Sequence, residues 1–369
     1  MTDTRSPISR LLHYRTERLA KGEAVALPIH ASSTFHLPGD PDGSHFYGRN
    51  GNPTVETVEA EIGILEAADV VCFPSGMAAI ASVFYSVLRP GDTVLVPSDG
   101  YYNVRNLLGA QFEPMGVTMR TCPTADMAEA DFKGCKLVLI ETPSNPGLAV
   151  CDIAKTAQRA KAEGALIMVD NTTASPQIQQ PLDLGADFSV MSDTKAMAGH
   201  SDVLCGHVAT RDAKLFEAVK TWRRLAGAIV SPFDAFLLHR GLATVEVRLA
   251  RMNANALAVA EAVQGHAAVN AVHYPGLGND PFHQVALKQM NGFGPIVSFE
   301  LANKANAERF IADCHLLSPA TSFGGVHSSA ERRARWGDDV PEGFIRFAAG
   351  IEPTADLVAA VTQALDTLS

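Results

Sequence analysis

The sequence predicts an α/β protein with a mostly parallel sheet in a large domain, a smaller C-terminal α/β domain and an N-terminal arm. Three observations predict it. From about residue 55 onward, apolar strand-like runs alternate with amphipathic helix-like segments, the pattern of a sheet covered on both faces. The 369 residues, 47% hydrophobic and 19% charged, are enough for more than one core, so two domains are expected. Residues 1–50 show little periodicity and hold Pro28, Pro38, Gly39, Pro41 and Gly43, the composition of an arm that packs on something else. The expected boundaries are 1–50 for the arm, 51–230 for the principal domain and 231–369 for the C-terminal domain.

Each element follows from its local pattern. A helix over 54–66 leads to a strand at 70–73, and a Pro-Ser-Gly turn at 74–76 opens a second helix over 77–87. Strands follow at 93–96, 137–140, 165–169 and 187–191, with a helix over 153–163. A mixed helical stretch, 232–263, links to strands at 271–274 and 295–301 and a closing helix over 355–368. Reactive groups in such sheets lie in loops at the strands' carboxyl ends, and Ser75, Tyr101, Asn145, Asp170 and Lys195 each follow an apolar strand within a few residues.

A formal charge of −10 argues against nonspecific nucleic-acid binding and against an anionic membrane surface, because both need a basic face. The cysteines at 72, 122, 135, 151, 205 and 314 form no C-x-x-C pair, so they read as thiols in a reducing compartment rather than zinc ligands. The N-terminus lacks an apolar secretory segment, and the most apolar stretch, 70–88, is broken by a turn. A soluble cytoplasmic protein is expected.

Ser-Asp-Thr-Lys at 192–195 places one lysine just after an apolar strand, among small and apolar neighbours. Desolvation lowers an amine's pKa and favours imine chemistry. Upstream, the strand ending Met168-Val169-Asp170 closes in a carboxylate. Pyridoxal phosphate (PLP) needs this pair: a lysine for its aldehyde and a carboxylate to keep its ring nitrogen protonated. Ser75-Gly76-Met77, where strand turns into helix, offers backbone N–H groups to a phosphate, with the hydroxyls of Ser192 and Thr194 able to close on it. Tyr101 could stack on a flat cofactor, and Arg49 could fork onto a phosphate. Arg346, a charge inside the apolar run 344–347, calls for a carboxylate partner, which a substrate would supply. His200 reads as a structural histidine.

Together these residues resemble the Cys/Met-metabolism family of PLP enzymes, of the cystathionine γ-lyase, β-lyase and γ-synthase type. The resemblance spans almost the whole chain: Tyr-Gly-Arg-x-x-Asn-Pro-Thr (47–54), Ser-Gly-Met-Ala-Ala (75–79), Glu-Thr-Pro-Ser-Asn-Pro (141–146), Val-Asp-Asn-Thr (169–172), Ser-Asp-Thr-Lys with Gly-His-Ser-Asp (192–202), Arg-Gly-Leu-Ala-Thr (240–244), Ser-Phe-Gly-Gly-Val (322–326) and Ile-Arg-Phe-Ala-Ala-Gly-Ile-Glu (345–352). It implies the aspartate-aminotransferase-like fold (fold type I), with 51–230 as the PLP-binding domain. It further implies that Lys195, Tyr101 and Asp170 are catalytic, that Lys195 carries the cofactor, that Asp170 pairs with the pyridine nitrogen and that Tyr101 stacks on the ring. Gly76, Met77, Ser192 and Thr194 would hold the phosphate, Asn145 would lie near the phenolic oxygen, and Arg346 with Ser322 would clamp the substrate α-carboxylate. Tyr47 and Arg49 would reach the phosphate of a neighbouring subunit, making the assembly a homotetramer of active-site-sharing dimers.

Departures from the family pattern fall where specificity is set. Thr321 precedes Ser322 where γ-acting members carry glutamate, Tyr102-Asn103-Val104 replaces Gly-Gly-Thr, and His327-Ser328 replaces Glu-Ser. The activity expected from the resemblance is carbon–sulfur bond cleavage of an amino-acid substrate, foremost cystathionine γ-lyase-like elimination. Cystathionine β-lyase and γ-replacement by a γ-synthase or homoserine-ester sulfhydrylase are the alternatives. A catalytically idle regulatory descendant is a remote one, since it would have no need of Lys195, Asp170 and Arg346 together.

Overall fold

The computed structural model describes residues 4–368. Its strands are β1 (Asp69–Phe73), β2 (Thr93–Pro97), β3 (Thr118–Cys122), β4 (Cys135–Glu141), β5 (Leu166–Asp170), β6 (Phe188–Met191), β7 (Gly206–Thr210), β8 (Val269–His273), β9 (Ile296–Leu301), β10 (Ser329–Arg332) and β11 (Phe344–Ala348). They belong to two compact units. The first joins the residues up to Val87 to Asp187–Glu246; the second joins Leu88–Ala186 to the chain from Val247 onward.

In the first unit β7 lies between β1 and β6, antiparallel to both, with Cys72 opposite His207. Helix Pro53–Glu66 begins where Asn52 caps it, its side chain accepting from the Thr54 N–H at 2.9 Å with Pro53 in the first turn. The same helix ends on Ala67 in the left-handed region at φ 49°. Its buried face, Val58, Ile62 and Leu65, meets a core that also holds Phe73, Val83 and Phe84. Helix Gly76–Val87 follows β1 after two residues, and helix Ala213–Ala226 is capped by Asp212 and closed by Gly227 at φ 71°.

The second unit carries four parallel strands in the order β5-β4-β2-β3. β4 and β5 are buried on both faces over nearly their whole length, which explains why they read in the sequence as continuous apolar runs instead of alternating ones. A smaller antiparallel sheet, β10-β11-β9-β8, is packed by helix Thr354–Asp366 through Leu357, Val361 and Leu365. Phe299 and Phe310 meet edge to face there, with ring centroids 5.3 Å apart.

The α/β class expected from the sequence is the one observed, as are its principal helices and strands. Several features differ, among them the helices Ala213–Ala226 and Lys304–Asp313, which the sequence reading did not name. The arm contains a helix, Pro7–His13, started by the Ser6 side chain accepting from the Ser9 N–H at 3.2 Å. The stretch 232–263 is two helices, Pro232–Leu242 and Val245–Gln264. β3 escaped notice because its half-exposed Thr-Met-Arg-Thr-Cys lacks an apolar run. β7 and β10 escaped it because polar residues, His207, Glu331 and Arg332, are buried in them. The six cysteines are free thiols, and all but Cys122 are buried. Among the described residues no helix is long and apolar enough to cross a membrane.

Candidate active site

In the first unit, β6 ends at Met191 and the chain turns at once through Ser192-Asp193-Thr194-Lys195. The turn is tightly held. Lys195 N donates to Ser192 O at 3.2 Å and its carbonyl accepts from Gly199 N at 2.9 Å, while Thr194 Oγ1 accepts from Cys205 N at 3.1 Å. Gly76 opens its helix against this turn. A Cβ built on Gly76 would fall 2.6 Å from Ser192 Cβ, and one on Gly206 would fall 2.6 Å from Gly76 Cα. Neither position has room for a side chain, so the start of the Gly76 helix, the Ser192 side chain and Gly206 are packed against one another. Ser75 Oγ accepts from Ala78 N at 3.1 Å and caps the same helix.

Behind this turn lies a buried ionic triad that sequence reading missed. His207 Nδ1 meets Asp193 Oδ1 at 2.8 Å and its Nε2 meets Glu66 Oε1 at 3.1 Å, all three side chains being fully buried. Burial disfavours the imidazolium, but the flanking Asp193 and Glu66 carboxylates outweigh it and hold His207 well above its ordinary 6.5. Asp193 is thereby fixed between Ser192 and Thr194. A histidine inside a strand was the available signal. His200 makes a local contact, Nδ1 to Ala198 O at 2.7 Å. Tyr47 and Arg49 are exposed, the Arg49 guanidinium 5.5 Å from the Tyr47 ring centroid and donating to Arg224 O at 2.8 Å.

The second unit gathers the other candidates around Glu141, which sequence reading also missed. Glu141 ends β4 in register with Asp170 at the end of β5. Its two oxygens accept from two loops: Oε2 from Tyr101 N at 2.6 Å and Oε1 from Asn145 N at 2.8 Å. One buried carboxylate thus fixes the backbones of both Tyr101 and Asn145. Burial, then the neighbouring Asp170 charge, push the Glu141 carboxyl from 4.5 up to about 8, against the lowering effect of the two N–H donors. Asp170 is 7% exposed, and its Oδ1 accepts from Thr172 N at 3.0 Å. The Tyr101 phenol accepts from Asn103 Nδ2 at 2.9 Å, a contact made by one of the residues that replace the family's Gly-Gly-Thr.

Arg346 stands on β11 and is 4% exposed. Its Nη1 donates to Asn145 Oδ1 at 2.8 Å and its Nη2 to Ser322 O at 2.9 Å and to Glu331. Its Nε, also buried, has no partner among the described residues. Burial pulls the guanidinium from its ordinary value down to about 10, with Glu331 opposing that pull. Ser322 holds its carbonyl on Arg346 from the left-handed region, φ 80°, a conformation that costs a non-glycine residue about 1–3 kcal/mol. The structure therefore brings Tyr101, Glu141, Asn145, Asp170, Ser322, Glu331 and Arg346 into one unit, and Gly76, Met77, Ser192, Thr194 and Lys195 into the other.

A family model described as Cys/Met metabolism PLP-dependent enzyme matches residues 9–366. The chain belongs to this family. As a Cys/Met metabolism enzyme it uses pyridoxal phosphate and acts in sulfur amino-acid metabolism. It is 51% identical over 346 residues, 92% of this chain and 88% of the relative, to a Streptomyces coelicolor protein named "Putative cystathionine gamma-lyase". It is 40% identical over 376 residues, 97% of this chain and 96% of the relative, to the cystathionine gamma-synthase of Mycobacterium bovis. The crystal structure of cystathionine gamma synthase from Xanthomonas oryzae pv. oryzae, in complex with aminoacrylate and cysteine, superposes with a TM-score of 0.94 at 37% identity, covering 99% of this chain and 98% of that one.

Proposed function

We propose that this Cys/Met metabolism enzyme catalyses γ-elimination of L-cystathionine, releasing cysteine, 2-oxobutyrate and ammonia. The observation that carries the choice within the family is the 51% identity to the Streptomyces coelicolor protein, against 40% to the mycobacterial γ-synthase. The residues present fit the cofactor. Gly76, at the start of helix Gly76–Val87, packs against Ser192 and Gly206, and the free N–H groups of a helix start beside hydroxyls suit a phosphate. The buried Asp170 suits a protonated ring nitrogen, and the unpartnered Arg346 Nε–H suits a carboxylate.

When bound, pyridoxal phosphate supplies an electron sink for the pair released from the substrate's α C–H bond. In this reading the Lys195 amine would hold the cofactor and, when free, would take the substrate's α-proton and return protons along the carbon chain. Asp170 keeps the ring nitrogen's proton in place. Tyr101, held by Glu141 through its N–H and by Asn103 through its phenol, would face the ring. Gly76, Met77, Ser192 and Thr194 hold the phosphate, with Tyr47 and Arg49 contributed from a neighbouring subunit in a homotetramer. Arg346, positioned by Asn145 and Ser322, orients the substrate by its α-carboxylate. A cytoplasmic location accords with six free cysteines.

Incubating purified, PLP-loaded protein with L-cystathionine and identifying the oxo acid tests the proposal. 2-Oxobutyrate is expected. Pyruvate would mean β-elimination, and cystathionine formed from a homoserine ester and cysteine, with no oxo acid from cystathionine, would mean γ-replacement.

A further inference from the structure

Among the described residues Glu331 is the carboxylate paired with Arg346, and the sequence around it, Glu-Arg-Arg-Ala-Arg-Trp at 331–336, surrounds it with donors. On the antiparallel pair β10 and β11, Glu331 stands directly opposite Arg346. Both of its oxygens are doubly occupied. Oε1 accepts from Arg346 Nη2 and from Arg333 Nη1, the latter at 2.6 Å; Oε2 accepts from Trp336 Nε1 at 2.9 Å and Arg335 Nη2 at 3.2 Å. Arg333 is in turn gripped by Asp338 at 2.6 Å. A carboxylate with four donors has its acceptor capacity filled and its rotamer fixed. Burial alone would raise the Glu331 carboxyl, but Arg346, Arg333 and Trp336 together bring it below the ordinary carboxylate range.

The consequence falls on Arg346. A guanidinium has five N–H donors; here one goes to Asn145, one to Ser322 and one to Glu331, which leaves Nε–H and one Nη1 hydrogen. Asn145 and Ser322 are loop residues that present neutral oxygens, whereas Glu331 presents a charge from within the sheet. Among the side chains of Arg346, Arg333, Glu331 and Asp338, each at most 7% exposed, two positive charges balance two negative ones. The arginine can therefore stay charged in a buried place before any ligand arrives.

We propose that Glu331 is a positioning residue for recognition of the substrate α-carboxylate: locked by Arg333, Arg335 and Trp336, it fixes the charge and the orientation of Arg346. The proposal rests on the reading of Arg346 as the carboxylate clamp. Its signature is selectivity, since loss of Glu331 should weaken ligands in proportion to their need for that clamp and leave others alone.

The test measures binding to the PLP-loaded enzyme by calorimetry, with L-norleucine, which has no leaving group, and pentylamine, the same molecule without the carboxylate. Glu331→Gln, matched to the parent in thermal melting, should raise the norleucine dissociation constant about tenfold and change that of pentylamine less than twofold. If Glu331→Gln does not fold, Glu331→Asp, which keeps the charge but retracts it from Arg346, should show the same selective loss. Equal weakening of both ligands, or no weakening of either, overturns the proposal. Arg346→Lys separates the two layers. If that variant keeps the preference for norleucine, the clamp reading itself fails; if it loses the preference while the Glu331 variants keep it, only the role of Glu331 fails.

Discussion

Glu141 should make this protein lose stability as the pH rises from the acid side toward 8. The perturbation is Glu141→Gln in the cofactor-free protein. In the folded state the Glu141 carboxyl is raised from 4.5 to about 8 by burial and by the Asp170 charge. Between those values the folded chain binds a proton that the unfolded chain has released, so folding stability falls with pH across that window and levels off above it. At about 1.4 kcal/mol per pH unit, a carboxyl raised from 4.5 to about 8 loses about 5 kcal/mol of stability over the window. Glutamine cannot ionise and so lacks this dependence. It does place an NH2 where one of the Tyr101 and Asn145 N–H donors needs an oxygen, at a pH-independent cost of about 1–3 kcal/mol. Urea unfolding of both proteins from pH 5 to pH 9 gives the comparison. The variant should be the less stable at pH 5 and should close or reverse that gap by pH 8. A gap that stays constant, or widens with pH, would falsify the claim that burial and Asp170 keep Glu141 protonated. Asp170→Asn supplies the matching control: it removes the second cause but not the first, so the pH dependence should shrink without vanishing.

Three further outcomes follow from the same geometry. Gly76→Ala puts a Cβ 2.6 Å from Ser192 Cβ; displacing the Lys195 turn should cost about 1–3 kcal/mol and weaken PLP retention measured by dialysis, whereas undiminished retention would show that no phosphate lies there. His207→Gln leaves Asp193 and Glu66 buried without their cation and should cost about 3–5 kcal/mol by urea unfolding. Because His207 is raised well above 6.5, its contribution is full below that pH and fades only as pH climbs toward the raised value; a penalty that grows with pH would contradict the ionic triad. Arg49→Ala and Lys195→Ala subunits, each crippled alone, should regain activity when mixed under conditions of proven exchange, since hybrid sites would combine an intact Arg49 from one chain with an intact Lys195 from the other. No recovery would mean the site is not shared.

The sequence disclosed what repeats or punctuates. Strands β2, β4 and β5 are buried on both faces and so read as apolar runs, and the helices expected over 54–66 and 153–163 are observed as Pro53–Glu66 and Ile153–Ala162. The site residues it disclosed are those at strand ends, where Tyr101, Asn145, Asp170 and Lys195 follow apolar runs. What it concealed are charges inside strands. Glu331 and His207 look like interruptions of a strand until their partners, distant in sequence, are known; Glu66 lies 141 residues from His207. Glu141 was in view within Glu-Thr-Pro-Ser-Asn-Pro, but its task, holding Tyr101 and Asn145 by their backbones, depends on a pairing forty residues away that no spacing rule foretells.

The assignment of Lys195 as the residue that carries the cofactor is tested most directly by covalent trapping. Borohydride reduction of the PLP-loaded protein, followed by proteolysis and peptide mapping, should place one reduced pyridoxyl group per chain on Lys195, within the peptide containing Ser192-Asp193-Thr194. A pyridoxyl group on any other lysine would contradict the account.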